Sequence, residues 1–114
     1  MNKTLSVIYG EVADATGLSI DERTETLVGV KNGYHLTIGI KNNAYAMYAS
    51  ARKNGCLPDK EFTKAAKKAI DGVYSVQVHG NNIEFTIGGA TKNKTIANMI
   101  SVINGATEFF RANG

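Results

Sequence analysis

Residues 26–51 read TLVGVKNGYHLTIGIKNNAYAMYASA, and the way this run folds decides the class of the whole chain. Apolar side chains alternate with small or polar ones, the period of two by which a strand turns one side to a core. The pairs Asn32-Gly33 and Asn42-Asn43 interrupt the alternation with residues that tolerate positive φ, as tight hairpin turns require. The run predicts three antiparallel strands.

The second turn also predicts a register. With Asn42-Asn43 as a two-residue loop, Ile40 faces Tyr45, Ile38 faces Met47 and Leu36 faces Ala49, which makes these six the core side. His35, Thr37, Gly39, Ala46, Tyr48 and Ser50 then share the other side, small or polar residues suited to water or a partner. Treated in the same way, Asn32-Gly33 places Val28 and Val30 opposite Thr37 and His35, off the core. A bulge would bring them back.

Upstream, Leu5, Ile8, Val12 and Ala15 recur at helical spacing over residues 4–16, and Gly17 offers a left-handed cap. Residues 18–25 read as a polar connection. Downstream, Pro58-Asp59 opens a second helix, with Asp59 as N-cap and a stripe of Phe62, Ala65, Ala66, Ala69 and Ile70 that Gly72 should end. Residues 76–87, VQVHGNNIEFTI, form a hairpin: a Gly80-Asn81 loop pairs Val78 with Ile83, Val76 with Phe85 and Tyr74 with Ile87. The last helix begins near Thr91 and carries Ile96, Met99, Ile100, Ile103, Thr107 and Phe110 on one face, widened by Val102, Ala106 and Phe109. A stripe that wide exceeds what one sheet covers, which suggests either a two-fold homodimer through Val102, Ala106 and Phe109 or a monomer in which the first helix covers the excess with Leu5, Ile8 and Val12. The expected core includes Ile38, Met47, Phe62, Ile83, Phe85 and Ile100.

The expected fold is one α+β domain: helix, three strands, helix, two strands, helix. Its five-stranded, mainly antiparallel sheet has helices on one face. A chain of 114 residues has room for one such core, and 43% hydrophobic with 20% charged residues is the composition of an ordered globule. No window reaches the roughly 18 apolar residues of a membrane span. The opening MNKTLSVIYGEVADA loosely imitates a secretory leader, but its apolar run is short and Glu11 follows almost at once, so it reads as a first structural element. The single cysteine, Cys56, excludes an intrachain disulfide and suits a reducing compartment. The expected location is therefore the cytoplasm, with tethering to a membrane only through sequence outside this chain.

The chemistry-bearing residues make weak constellations. His79 precedes the hairpin loop beside a face of Ser75, Gln77, Glu84 and Thr86, with Glu84 diagonal to it; general acid/base work needs a desolvated cleft, which a hairpin tip does not supply. A metal site from His35, His79 and Cys56 would need three distant segments to converge, with no short-spaced ligand pair to anchor it. Cys56 lacks the local signature of a nucleophile. GGATKNKT sets two glycines before a helix start, yet lacks the Gly-Lys-Ser/Thr ending of a phosphate-cradling loop. The net charge is +3, and Lys60, Lys64, Lys67 and Lys68, with Lys92 and Lys94, form a candidate anion face. A nucleic-acid surface, however, usually displays stacking aromatics or arginines, and here Tyr48 is the one aromatic on the outer sheet side.

In element order the chain resembles the type III secretion chaperones and related chaperone-like domains. That resemblance implies small homodimers that hold extended client segments against apolar patches and catalyse nothing. Family members are usually acidic, unlike this chain. A fainter similarity, carried by NGYHLTIGI, LPDKEFTKAAKKAI and TEFFRANG, is to uncharacterised soluble N-terminal domains of bacterial membrane proteins. The expectation is a non-enzymatic, cofactor-free protein-interaction or chaperone-like domain whose partner face includes His35, Thr37, Tyr48, Val102 and Phe109. Nucleic-acid or anion binding through the lysines is the alternative.

Overall fold

The computed structural model describes residues 1–50, 59–80 and 82–113, the last without its side chain. Asn2 opens the first helix: its side-chain oxygen accepts from the Leu5 N–H at 2.8 Å, satisfying one of the amides that every helix start leaves orphaned. Helix α1 (Lys3–Thr16) ends at Gly17, whose φ of 81° is the left-handed cap the sequence suggests. Leu5, Ile8 and Val12 are buried as expected, but Ala15 is exposed, and Tyr9 and Thr16 take the remaining inward positions.

The predicted polar connection is a correction. It contains a strand, β1 (Ser19–Asp21), which turns back through residues 22–25 to pair with β2 (Thr26–Lys31). Two Asp21 side-chain hydrogen bonds, to the N–H groups of Arg23 and Thr24, bend that turn. The meander continues through β3 (Tyr34–Lys41) and β4 (Ala44–Ser50), then α2 (Asp59–Ala69), β5 (Val73–His79), β6 (Asn82–Ile87) and α3 (Lys92–Asn113). Among the described residues the sheet thus has six strands, in the order β1-β2-β3-β4-β6-β5, every neighbouring pair antiparallel. No helix among the described residues is long and apolar enough to cross a membrane.

The β3–β4 register is the predicted one, Leu36 with Ala49, Ile38 with Met47 and Ile40 with Tyr45. Leu36, Ile38, Met47 and Ala49 are buried, whereas Ile40 is 55% exposed, at an end of the sheet the helices leave open. Between β2 and β3 there is no bulge: Val28 faces Thr37 and Val30 faces His35, outside the core. Leu27 fills the inward position next to Ile38, and Leu18 occupies the space above Gly29, where a Cβ would stand 2.7 Å from the Leu18 side chain. The irregularity lies in β5 instead. Val73 pairs with Ile87, Tyr74 is bulged out and 73% exposed, and the predicted pairs of Val76 with Phe85 and Val78 with Ile83 follow.

All three helices lie on the side of Leu27, Leu36, Ile38, Met47, Ile83 and Phe85. Phe110 of α3 packs on Tyr34 and Phe85 of the sheet, with ring centroids 5.1 and 5.8 Å away. Phe109 turns to Phe62 of α2 at 5.4 Å, while α1 packs along another side of α3. The width of the α3 stripe is therefore consumed inside one chain. Val102 is 0% exposed and Phe109 8%, so neither belongs to a partner face. Of the expected core, Ile38, Met47, Phe62, Ile83 and Phe85 are buried and Ile100 is only partly so.

Candidate functional site

The side of the sheet opposite the helices is bare among the described residues, and β-strand alternation decides what it displays. From β2 and β3 come Thr26, Val28, Val30, His35, Thr37 and Lys41; from β4, Tyr48 and Ser50; from β6 and β5, Asn82, Glu84, Thr86, Ser75, Gln77 and His79. His35 and Thr37 are exposed and Tyr48 half-buried, where the sequence places them. Val30 is 57% exposed.

Glu84 departs from the expectation of a wet polar face. Its side chain is 8% exposed, and its Oε1 accepts from Lys41 Nζ at 3.0 Å and faces His79 Nε2 at 3.3 Å. A carboxylate buried without partners would cost several kcal/mol, and the lysine supplies the compensating charge. Lys41 reaches Glu84 from β3, across β4, and its ammonium lies 5.8 Å from the Tyr48 ring centroid. The hydrogen bond that Lys41 donates to Glu84, followed by its hydrogen bond with Tyr48, holds the Lys41 ammonium above its ordinary pKa. This cluster is a clasp over four strands, β3, β4, β6 and β5. Because Lys41 is held in its charged form, it cannot serve as a neutral amine base or nucleophile near neutral pH.

Lys41 stands between two shallow concavities. One, of about 350 Å³, runs past Thr26, Thr37, Gly39 and Tyr48 to Leu5 and Glu25; the other, of about 320 Å³, lies over Ala46, Gln77, Glu84 and Thr86. A third, of about 310 Å³, is on another part of the molecule, lined by Lys60, Thr63, Lys64 and Lys67 of α2 and by Ser75 and Val76 of β5. The candidate anion face is thereby divided. Lys60, Lys64 and Lys67 share a groove, exposed Lys68 does not line it, and Lys92 and Lys94 stand at the start of α3.

The GGATKNKT segment serves packing. The Gly89 backbone, at φ 150°, lies so close to α3 that a Cβ would meet Thr95 Oγ1 at 2.5 Å. Asn98 Nδ2 donates to the Gly88 carbonyl at 2.8 Å, and Thr91 caps α3 by accepting from the Lys94 N–H at 3.1 Å. Cys56 and Pro58 lie outside the described residues, as does Asn81 of the hairpin loop. His35 and His79 sit on β3 and β5, with β4 and β6 between them, and no group of three or more metal-ligating side chains occurs among the described residues.

Sequence reasoning missed Lys41. Alternation puts it on the open side, opposite Ala44, but its contact with Glu84 depends on β6 lying beside β4, which no local pattern announces. No family model, curated protein or solved structure matches the chain.

Proposed function

We propose that the chain is a non-enzymatic protein-interaction domain, chaperone-like in that it holds another polypeptide rather than transforming it. The carrying observation is the one-sided sheet: among the described residues three helices occupy one face and leave the other uncovered around Val28, Val30, His35, Thr37 and Tyr48. The Lys41–Glu84–His79 clasp fixes the floor beside this patch, so a partner meets a preorganised surface and pays less ordering entropy. The apolar Val28 and Val30 supply area, while His35, Thr37 and Tyr48 supply hydrogen bonds at its margin.

Nucleic-acid or anion binding ranks second. The groove of Lys60, Lys64 and Lys67 favours it, but none of the six residues lining that groove is aromatic. Photocrosslinking separates the readings. Benzoylphenylalanine in place of His35 should yield protease-sensitive adducts in cells, whereas the same group at exposed Ser101 of α3 should yield few. Nuclease-sensitive adducts, or equal yields from both positions, would refute the protein-binding reading.

A further inference from the structure

We infer that the outer edge of β5, with the lysines of α2 beside it, is a docking site for an extended acidic peptide segment that adds to the sheet as a seventh strand. The inference rests on the protein-interaction reading but concerns the β5 edge, which borders the open sheet face at Ser75.

Among the described residues β5 pairs with β6 alone, so one side of its backbone offers unused N–H and C=O groups. The groove of about 310 Å³ is lined by both Ser75 and Val76, consecutive residues whose side chains leave opposite faces of the sheet. A concavity touching both must pass the backbone edge between them. Its other wall is α2, where Lys60, Lys64 and Lys67 sit at i, i+4 and i+7 on one side of the helix. Among the described residues no carboxylate lies within ion-pair distance of these three ammonium groups.

The spacings suit a strand. The three lysines extend over about 10 Å of helix. Alternate side chains of a strand, all on one side, cover about 13 Å over five residues. A peptide with glutamate or aspartate at every second position would thus present its charges to α2 while its backbone completes the β5 ladder, the strand-addition mode of recognition. A second copy of this chain fits poorly, because antiparallel pairing of two β5 edges would bring two sets of the same lysines together. A nucleic acid would use the charge and leave the strand edge unpaired.

The test uses a fluorescein-labelled octapeptide of alternating glutamate and threonine, followed by anisotropy. It should bind, and N-methylation of alternate amides along one of its two edges should weaken binding at least tenfold with the charge unchanged. Combining Lys60→Gln, Lys64→Gln and Lys67→Gln should weaken binding similarly while the circular dichroism stays native. Peptide should also slow amide hydrogen exchange in residues 73–79. Equal binding by both N-methylated peptides, an octadeoxythymidylate that binds as tightly as the peptide, or a dimer that already protects the β5 amides would each overturn the proposal. Failure of the peptide with the position-35 cross-link intact removes the β5 site alone; loss of that cross-link with peptide binding intact removes the open-face reading instead.

Discussion

The ring of Tyr9 is fully enclosed beneath α1, and its hydroxyl donates to the Glu25 carbonyl at 2.9 Å, tying the helix to the β1–β2 turn. Burial first, then Tyr45 and Glu25 nearby, push its pKa from 10.0 up to about 12. As pH rises past 10 the unfolded chain gives up this proton before the folded chain does. The stabilisation held in the neutral phenol is therefore complete below pH 10 and is lost as pH climbs through 12. Because the hydrogen bond is only part-buried, solvent screening reduces its worth to on the order of 1–2 kcal/mol. Tyr9→Phe removes both the titration and the bond. At pH 7 the variant should be less stable by about 1 kcal/mol, the usual net value of one neutral hydrogen bond. Between pH 9 and 12 the wild type should lose its advantage and the two stability curves should meet. Urea unfolding followed by circular dichroism at half-unit pH steps measures this, with Tyr45→Phe as a control because burial raises that phenol too. A difference between wild type and Tyr9→Phe that stays constant from pH 8 to 12 would refute the reasoning.

Phe85→Ala should cost about 3–5 kcal/mol in urea unfolding, since the ring is fully buried against Phe110 and little around it can collapse into the space. Phe109→Glu should unfold the chain, read as loss of the circular dichroism signal, because it buries a charge against Phe62; a folded variant with reduced mass in light scattering would restore Phe109 to an interface. Gly89→Ala should destabilise by more than about 2 kcal/mol, because its Cβ would meet Thr95 and its φ suits glycine alone. Gly33→Ala, at φ 86° with open space around it, should cost about 1 kcal/mol, both glycine variants being read by urea unfolding.

Legibility in the sequence followed the range of the interactions. The β3–β4 and β5–β6 hairpins were readable because a turn pair and strict alternation lie within a dozen residues and together set which residues face. Strand β1 was not, since three residues in a polar stretch carry no period and form a strand only by pairing with β2. Tyr74 was misplaced by one position because the bulge between Val73 and Ser75 shifts the pairing by a residue, which the alternation does not announce. The breadth of the α3 stripe was visible, but hydrophobicity does not say what covers it, and α1 and α2 share it with the sheet. His35, Thr37 and Tyr48 were placed on the side of the sheet away from the helices, as the structure has them, whereas the Lys41–Glu84 clasp depends on a pairing between distant segments.

That pairing divides the molecule by folding history. Strands β1 to β4 can zip up one after another through short turns, and α2, β5, β6 and α3 form a second run of local contacts. The two sheet halves are joined by the β4–β6 ladder, from Tyr45 with Ile87 to Ser50 with Asn82, with α3 packing across onto α1 and Tyr34, and the ladder must close a loop of about thirty residues first. Each half alone would expose one further raw edge, β4 in the first and β6 in the second, besides the outer edges β1 and β5. The seam should therefore form late, around the folding barrier, and substitutions such as Ala49→Gly should slow refolding more than they speed unfolding. It also makes the chain a natural candidate for fragment complementation: two separately synthesised halves, each aggregation-prone at its unpaired edge, would gain solubility from finding one another.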